Sequence, residues 1–139
     1  MTTPTPEIDV EDLVVAWLTG WNIVSAANLS TRMPVTYAPP FILVTRVAGG
    51  EDYITDSATI QIDSYGTSQT AASDIARQVH HAMRSWSPKY AVNLGGVLAF
   101  ATHIDFEQTP IFADFEDPVV MRYVARYVID VRAPNVPLF

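Results

Sequence analysis

The sequence of 139 residues contains no cysteine, and its only lysine is Lys89. Without cysteine the chain forms no disulfide and has no thiolate to act as a nucleophile or a metal ligand. No apolar run approaches the ~20 residues that a membrane-spanning helix needs. The N-terminal segment MTTPTPEIDVED is acidic rather than basic and apolar, so we expect no signal peptide and a soluble protein made in a cytoplasm.

Catalytic motifs are also missing: the chain has no GxSxG, P-loop, GxGxxG or HExxH sequence. His80 and His81 are neighbours on a predicted helix, where they diverge by about 100° and cannot bind one metal together, so we interpret both as surface residues. His103 and Asp105 share one strand face and could act as a base and its orienting carboxylate, but no nucleophile is visibly paired with them. We therefore predict a protein that is not an enzyme and has no cofactor or metal site.

The charge balance is acidic, with 15 Asp and Glu against 8 Lys and Arg and a formal net charge of −7. Such a surface argues against nucleic-acid binding as the main activity, because phosphate contacts need Lys and Arg. Its simplest role is solubility. Thirteen of the 15 acidic residues form three groups: Glu7, Asp9, Glu11 and Asp12; Glu51, Asp52, Asp56 and Asp63; and Asp105, Glu107, Asp114, Glu116 and Asp117.

The segment from Phe41 to Trp86 predicts two strands followed by a helix, which together form the folding nucleus. An apolar run up to Val47 should end at Gly49-Gly50, and residues 57–63 then alternate between apolar and polar. The helix should begin at an N-cap on Thr67 or Ser68 and stop before Pro88. Its apolar face comprises Ala72, Ile75, Ala76, Val79, Ala82, Met83 and Trp86.

The remaining segments complete an α+β domain. A first helix should open at Pro6 or Asp9 and pack Trp17 and Trp21 on the sheet. Strands are predicted over 97–106 and 119–132, joined by an acidic loop over 107–118, and the second strand is long enough to require a bulge or a projecting end. We thus expect one two-layer domain over 1–139, with a mainly antiparallel or mixed sheet of four to five strands covered by two helices. Residues 1–6 and 133–139 should form extended arms.

Three quoted segments resemble the tail terminator proteins of long-tailed actinobacterial phages, also called head-to-tail connector or tail completion proteins. The segments are PFILVTRVAGGEDYITDSATIQIDSYG, TAASDIARQVHHAM and FEDPVVMRYVARYVIDVR. The matching features are a proline before the first core strand, the double glycine at 49–50, the corner at 63–66, and the Glu-Asp-Pro step at 116–118 that leads into Arg122-Tyr123. The resemblance covers about Pro39 to Arg132.

This resemblance implies a structural virion protein without catalytic residues. Tail terminators form a ring, usually a hexamer, that caps the tail tube, ends its polymerisation and joins the tail to the neck and head. The implied partners are further copies of the chain, the major tail tube protein and a stopper or other head-completion protein. DNA would pass through the channel without specific binding, and no membrane is involved. The expected location is the neck of the virion, after assembly in the host cytoplasm.

Two alternatives remain open from the sequence. The first is another neck protein, such as the stopper between portal and tail. The second is a small ligand-binding or hydrolytic domain that uses His103 and Asp105. A ring-forming protein would favour the terminator or the stopper, whereas a monomer with a pocket would favour the second alternative.

A ring-forming chain needs contact surfaces and a channel wall. Aromatic rings in an acidic loop are costly to expose to water, so we expect them to contact a partner, together with the apolar C-terminus and the arginines of the last strand. The interface candidates are Phe112, Phe115, Glu116, Asp117, Arg122, Arg126, Arg132, Leu138 and Phe139. Acidic walls would repel DNA and keep it centred, and the lumen candidates are Glu51, Asp52 and Asp56 on the predicted hairpin loop.

Overall fold

Five strands form one mixed sheet, and two helices cover one of its faces in a computed structural model. The structure describes residues 9–33, 38–51, 55–87, 90–94, 96–113 and 120–132, apart from the side chains of Glu51, Val97 and Arg132. The helices are α1 (Val10–Thr19) and α2 (Gln69–Arg84). The strands are β1 (Leu29–Ser30), β2 (Phe41–Glu51), β3 (Thr55–Gly66), β4 (Val92–Leu94), β5 (Val97–Ala99), β6 (Ala101–Ala113) and β7 (Met121–Arg132).

The strand order in the main sheet is β1-β2-β3-β7-β6. The short β1 runs parallel to β2, and the other neighbours are antiparallel. Strands β4 and β5 form a separate two-stranded hairpin. The predicted α+β class, with a sheet and two covering helices, is confirmed. Both predicted arms lie outside the described residues.

The β2–β3 hairpin confirms the predicted alternation but corrects its end. Ala58, Ile60 and Ile62 are buried under the helices. However, β2 continues through the double glycine to Glu51, and a bulge shifts the register between Arg46 and Ala48. Gly49 lies at φ 111°, where an added Cβ would collide with the carbonyl oxygen of Ser57. Gly49 therefore allows β2 and β3 to approach closely at this point and does not end the strand.

Helix α2 follows the prediction closely. The side chain of Ser68 accepts a hydrogen bond from the amide of Ala71 and caps the helix, and the helix ends at Arg84. All seven predicted core residues on its apolar face are buried. Five of them share one core with Ile42 and Val44 of β2 and with Leu13 and Val14 of α1, namely Ile75, Val79, Ala82, Met83 and Trp86. Within the described part of the chain, no helix is long and apolar enough to cross a membrane.

Helix α1 begins at the predicted cap, because the carboxylate of Asp9 accepts hydrogen bonds from the amides of Glu11 and Asp12. The prediction that both tryptophans pack on the sheet is wrong. The indole of Trp17 stacks on Trp86 with ring centroids 5.1 Å apart and donates a hydrogen bond to the carbonyl of Ala82. Trp21 stays 38% exposed. These rings join α1 to the end of α2.

Strand β6 differs most from the sequence prediction. The strand predicted over 97–106 is interrupted at Phe100, since β5 ends at Ala99 and β6 begins at Ala101. Because β6 then continues to Ala113, residues 107–113 belong to a strand and not to a loop. Three register shifts along β6 accommodate its pairing with the unbroken β7. A bulge after Ala101 turns that residue towards the helices, where it is buried, instead of onto the face of His103. The bulge predicted for the last strand thus lies in its neighbour.

Candidate functional site

The outer edge of β6 is the most conspicuous accessible surface of the sheet. It ends the strand order, and among the described residues no strand pairs with this edge. Along its 13 residues, three large apolar side chains are exposed: Phe106 at 45%, Ile111 at 51% and Phe112 at 41%. A long apolar edge of this kind is normally a contact surface or an aggregation risk.

The exposed rings of β6 are held in place by aromatic neighbours. Phe112 makes an edge-to-face contact with Tyr123, and their centroids are 5.8 Å apart. Phe106 packs in the same way on Tyr127 and lies 5.5 Å from the ring of His80. One side of each ring is therefore fixed while the other faces solvent, which prepares the surface for a partner at little cost in side-chain entropy.

A groove runs between α2 and β6 beside these rings, and we call it the α2–β6 groove. Its volume is about 380 Å³. The lining residues are Ser73, Arg77, His80, His81, Arg84, Pro110 and Tyr123. Four of these seven can carry a positive charge, in a chain whose net charge is −7.

The two arginines of the groove, Arg77 and Arg84, are exposed on α2. Neither guanidinium makes a hydrogen bond or an ion pair with a described residue. The nearest helical acid in sequence, Asp74, is also exposed and forms no ion pair with a described residue. The groove therefore presents two guanidinium groups, ten donors in all by their chemistry, to whatever enters it.

His80 corrects the interpretation of two surface histidines. Its Nδ1 lies 2.9 Å from the hydroxyl of Tyr127, and the ring is half-buried. Burial, followed by the positive charge of Arg84, lowers the pKa of His80 below its ordinary value. His81 is exposed as predicted and meets the edge of Trp21.

We call the opposite face of the sheet the bare face, because no helix of the described residues packs on it. One end of this face is nevertheless buried in a small apolar cluster of Phe41, Tyr65 and Val120, beside a polar network centred on Asp63. The buried carboxylate of Asp63 accepts hydrogen bonds from Gln61 and Tyr65, and Arg122 lies 3.9 Å away. Burial is the main cause that raises the pKa of Asp63 and also raises the pKa of Tyr65 to about 12. Arg126 is exposed on this face, and its Nε donates to Gln61.

Of the predicted lumen residues, Asp56 requires correction. It lies inside β3 rather than on a loop, and only 5% of it is exposed. Its two oxygens accept hydrogen bonds of 2.7 and 3.0 Å from the guanidinium of Arg46. Its negative charge is thus neutralised within the chain and is not a free charge for a channel wall. Glu51 ends β2, and Asp52 lies outside the described residues.

The predicted pair of His103 and Asp105 does form, with Nε2 and Oδ1 3.0 Å apart. Both side chains lie on the bare face and are highly exposed, at 61% and 66%. Within the described part of the chain, no hydroxyl is hydrogen-bonded to this histidine, and no group of three acidic or histidine side chains could hold a metal ion. Among the residues that the structure describes, the pair thus has a base and its orienter but no third partner.

The other interface candidates divide into those seen and those not seen. Phe112 lies on the exposed edge, Arg122 joins the Asp63 network, and Arg126 is exposed on the bare face. Arg132 is the last residue of β7. Phe115, Glu116, Asp117, Leu138 and Phe139 lie outside the described residues.

The α2–β6 groove is the feature that sequence reasoning missed. Its signal was present, since Arg77, His81 and Arg84 recur at helical spacing beside the apolar face of α2. What the helix alone could not indicate was that β6 would close the other side of the groove.

A comparison of the sequence with known protein families and with curated proteins finds no match.

Proposed function

We propose that this chain is a ring-forming tail terminator of a long-tailed phage, which caps the tail tube and joins the tail to the neck. The sequence resemblance over about Pro39–Arg132 suggests this class. The structural observation that carries the proposal is the exposed apolar edge of β6, because a domain that assembles into a ring must keep a contact surface accessible before assembly. The partners would be other copies of the chain, the tail tube protein and a neck protein.

The local structure of β6 indicates how such a contact would be made. Three register shifts and Pro110, which has no amide hydrogen, interrupt the outer edge of the strand. Both features disfavour continuous strand addition, which is how natural edge strands avoid open-ended pairing. A neighbouring subunit would therefore pack through side chains on Phe106 and Phe112, which lie on the helix-covered face, and could reach around the edge to Ile111 on the bare face. Such a contact allows a closed ring instead of an extended sheet.

The acidic charge fits a channel that lets DNA pass without retaining it. Glu51 and Asp52 at the end of the β2–β3 hairpin remain our candidates for the lumen, and Asp56 is excluded from this role by its ion pair with Arg46. Replacing Asp52 with lysine should slow DNA ejection at low salt, where screening is weakest. An unchanged ejection rate would remove this residue from the lumen.

The oligomeric state of the full-length chain tests the proposal. Mass photometry over a range of concentrations, with negative-stain imaging alone and with tail tubes, should show a closed ring that binds one end of a tube. Phe112→Glu should weaken assembly about tenfold or more, because a charge would be buried in the apolar contact. Hydrogen exchange in β6 should slow when the ring forms.

Leu98→Glu is the matched control, because it adds the same charge at an apolar position of β5 that is 64% exposed. It should assemble like the unmodified chain. A protein that stays monomeric at every concentration, or equal effects of the two substitutions, would contradict the proposed contact. A ring that binds only a portal-side neck and never a tail tube would instead identify a stopper.

A further inference from the structure

The basic side chains of α2 and the acidic side chains of α1 lie towards opposite ends of the strand order. Each end also holds opposite charges, since Asp74 lies on α2 and Arg46 lies near Asp9 and Glu11. On the β6 side, α2 presents Arg77, Arg84 and two histidines to the α2–β6 groove. Helix α2 covers β3, β7 and β6, whereas α1 covers β1 and β2 at the other end of the strand order. Helix α1 contains two acids and no basic residue, and its N-cap is a third acid.

The three acids of α1, namely Asp9, Glu11 and Asp12, form what we call the α1 acidic turn. Asp9 caps the helix, and the carboxylate of Glu11 accepts a hydrogen bond of 2.8 Å from the backbone amide of Arg46 on β2. Asp12 is exposed and has no such partner for its carboxylate among the described residues. Partial burial, with the negative charges of Asp9 and Glu11, raises the pKa of Asp12, so a nearby cation would relieve this repulsion.

We infer that the α2–β6 groove of one subunit receives the α1 acidic turn of the next subunit in the ring. The occupant is thus a second copy of this chain, and the central pairs join Arg77 and Arg84 to Asp12 of the neighbour. The argument is charge complementarity, because the groove offers two guanidinium groups that form no ion pair with a described residue, and the turn offers the carboxylate of Asp12. Guanidinium and carboxylate groups match in geometry as well as in charge.

The placement of these charges also selects the symmetry of the contact. A two-fold pairing of β6 edges would bring the arginines of two grooves towards each other, which like charges disfavour. A head-to-tail arrangement brings the β6 end of one sheet to the β2 end of the next, where the opposite charges meet. Head-to-tail contacts are the ones that close into rings. This inference rests on the proposed ring and names the surfaces that build it.

Charge reversal and restoration in the full-length chain test the contact. Arg84→Glu should lower the association constant about tenfold or more at low salt, because it faces Asp12 with a like charge. Asp12→Arg should have a similar effect. The double variant R84E/D12R keeps the net charge and should recover ring formation, since every interface then carries the pair in reversed order.

The matched control is R32E/D12R, which has the same net charge as the restoring variant. Arg32 is exposed after β1 and does not line the groove. This control should assemble as poorly as D12R alone. All variants are compared by mass photometry at two salt concentrations, and circular dichroism verifies their folding.

Three other results would contradict the proposed contact, and each points to a different explanation. Rings that form equally well with R84E, or with R32E/D12R, would overturn the groove contact while leaving the ring itself intact. A chain that is monomeric in every form would overturn the proposed function as well. Unchanged rings with R84E that lose affinity for a single-stranded DNA oligonucleotide would assign the groove to nucleic acid and reject the subunit contact.

Discussion

The helix-covered side of the sheet and its bare face each hold an arginine and a histidine, in different surroundings. On the covered side, Arg46 binds the buried Asp56, and His80 contacts the buried hydroxyl of Tyr127. On the bare face, Arg126 binds Gln61 and His103 binds Asp105, both largely in water. Similar bond lengths thus occur in environments that differ greatly in hydration.

The comparison shows that a contact distance alone does not measure the contribution of a contact. An exposed ion pair contributes about 0–1 kcal/mol, since water screens it and the side chains lose entropy. A buried charge that loses its partner is far more costly, because it can regain neither water nor a counterion. Most of the positions at which a single substitution unfolds the protein should therefore lie on the covered side. The buried group of Phe41, Tyr65 and Asp63 is the exception on the bare face.

The largest effect is expected at Met83, which is fully buried on the core face of α2. Met83→Ala should lower the free energy of unfolding by about 2–5 kcal/mol, because it leaves a cavity in the core. Chemical denaturation at a fixed protein concentration measures the difference. His81→Ala on the exposed side of the same helix is the control and should cost less than about 0.5 kcal/mol. Equal shifts would show that the helix face is assigned wrongly.

The second largest effect on stability is expected at Arg46, in comparison with Arg126. Arg46→Met should lower the free energy of unfolding by about 2 kcal/mol, because it leaves the Asp56 carboxylate buried without its cation. This value lies below that of a fully buried pair, since the arginine side chain is 33% exposed. Arg126→Met on the bare face should cost less than about 0.5 kcal/mol. A larger loss for Arg126→Met than for Arg46→Met would reverse the comparison.

The core face of α2 could be predicted from the sequence because its signal is local. Seven apolar residues repeat at helical spacing from Ala72 to Trp86, and Ser68 marks the start. Strand β3 could be predicted for the same reason, because Ala58, Ile60 and Ile62 alternate with polar residues. In both segments one buried face dictates the pattern, so neighbouring residues contain the information.

The β6 region could not be predicted, because its structure depends on pairing with β7. Each bulge shifts the register and exchanges the faces, so alternation read from Leu98 onwards assigns Ala101 to the wrong side. The contact between His80 and Tyr127 joins residues 47 positions apart and leaves no local signal. The groove likewise forms only when α2 packs beside β6, which explains why its two arginines and two histidines looked like an ordinary exposed helix face.

A smaller effect is expected from the acid titration of His80. The lowered pKa means that the folded state prefers the neutral imidazole, so the unfolded state binds more protons at pH values just below its ordinary pKa of about 6.5. The contribution of His80 to stability is therefore complete above that pH and is lost as the pH falls through this window. His80→Gln keeps a hydrogen-bonding group near Tyr127 but cannot titrate, so its unfolding free energy should fall less on acidification.

This difference is measured by unfolding the wild type and His80→Gln at several pH values between about 7 and 5, a range that includes the ordinary histidine pKa. His81→Gln, on the exposed side of α2, is the matched control for the loss of an imidazole. An acid dependence that is the same in wild type and His80→Gln would contradict the assignment of His80 to the covered side.

The smallest effect is expected at His103 and Asp105 on the bare face. Their contact is short, yet both side chains are mostly in water and no hydroxyl among the described residues joins them. The double variant H103A/D105A should unfold within about 0.5 kcal/mol of the wild type. It should also form the proposed ring, because it removes no apolar contact surface. A variant that folds and assembles normally but no longer supports phage infection would show that the pair has a chemical role. In that case the bare face would be a functional surface in its own right, and the absence of enzymatic activity that we predict would be wrong.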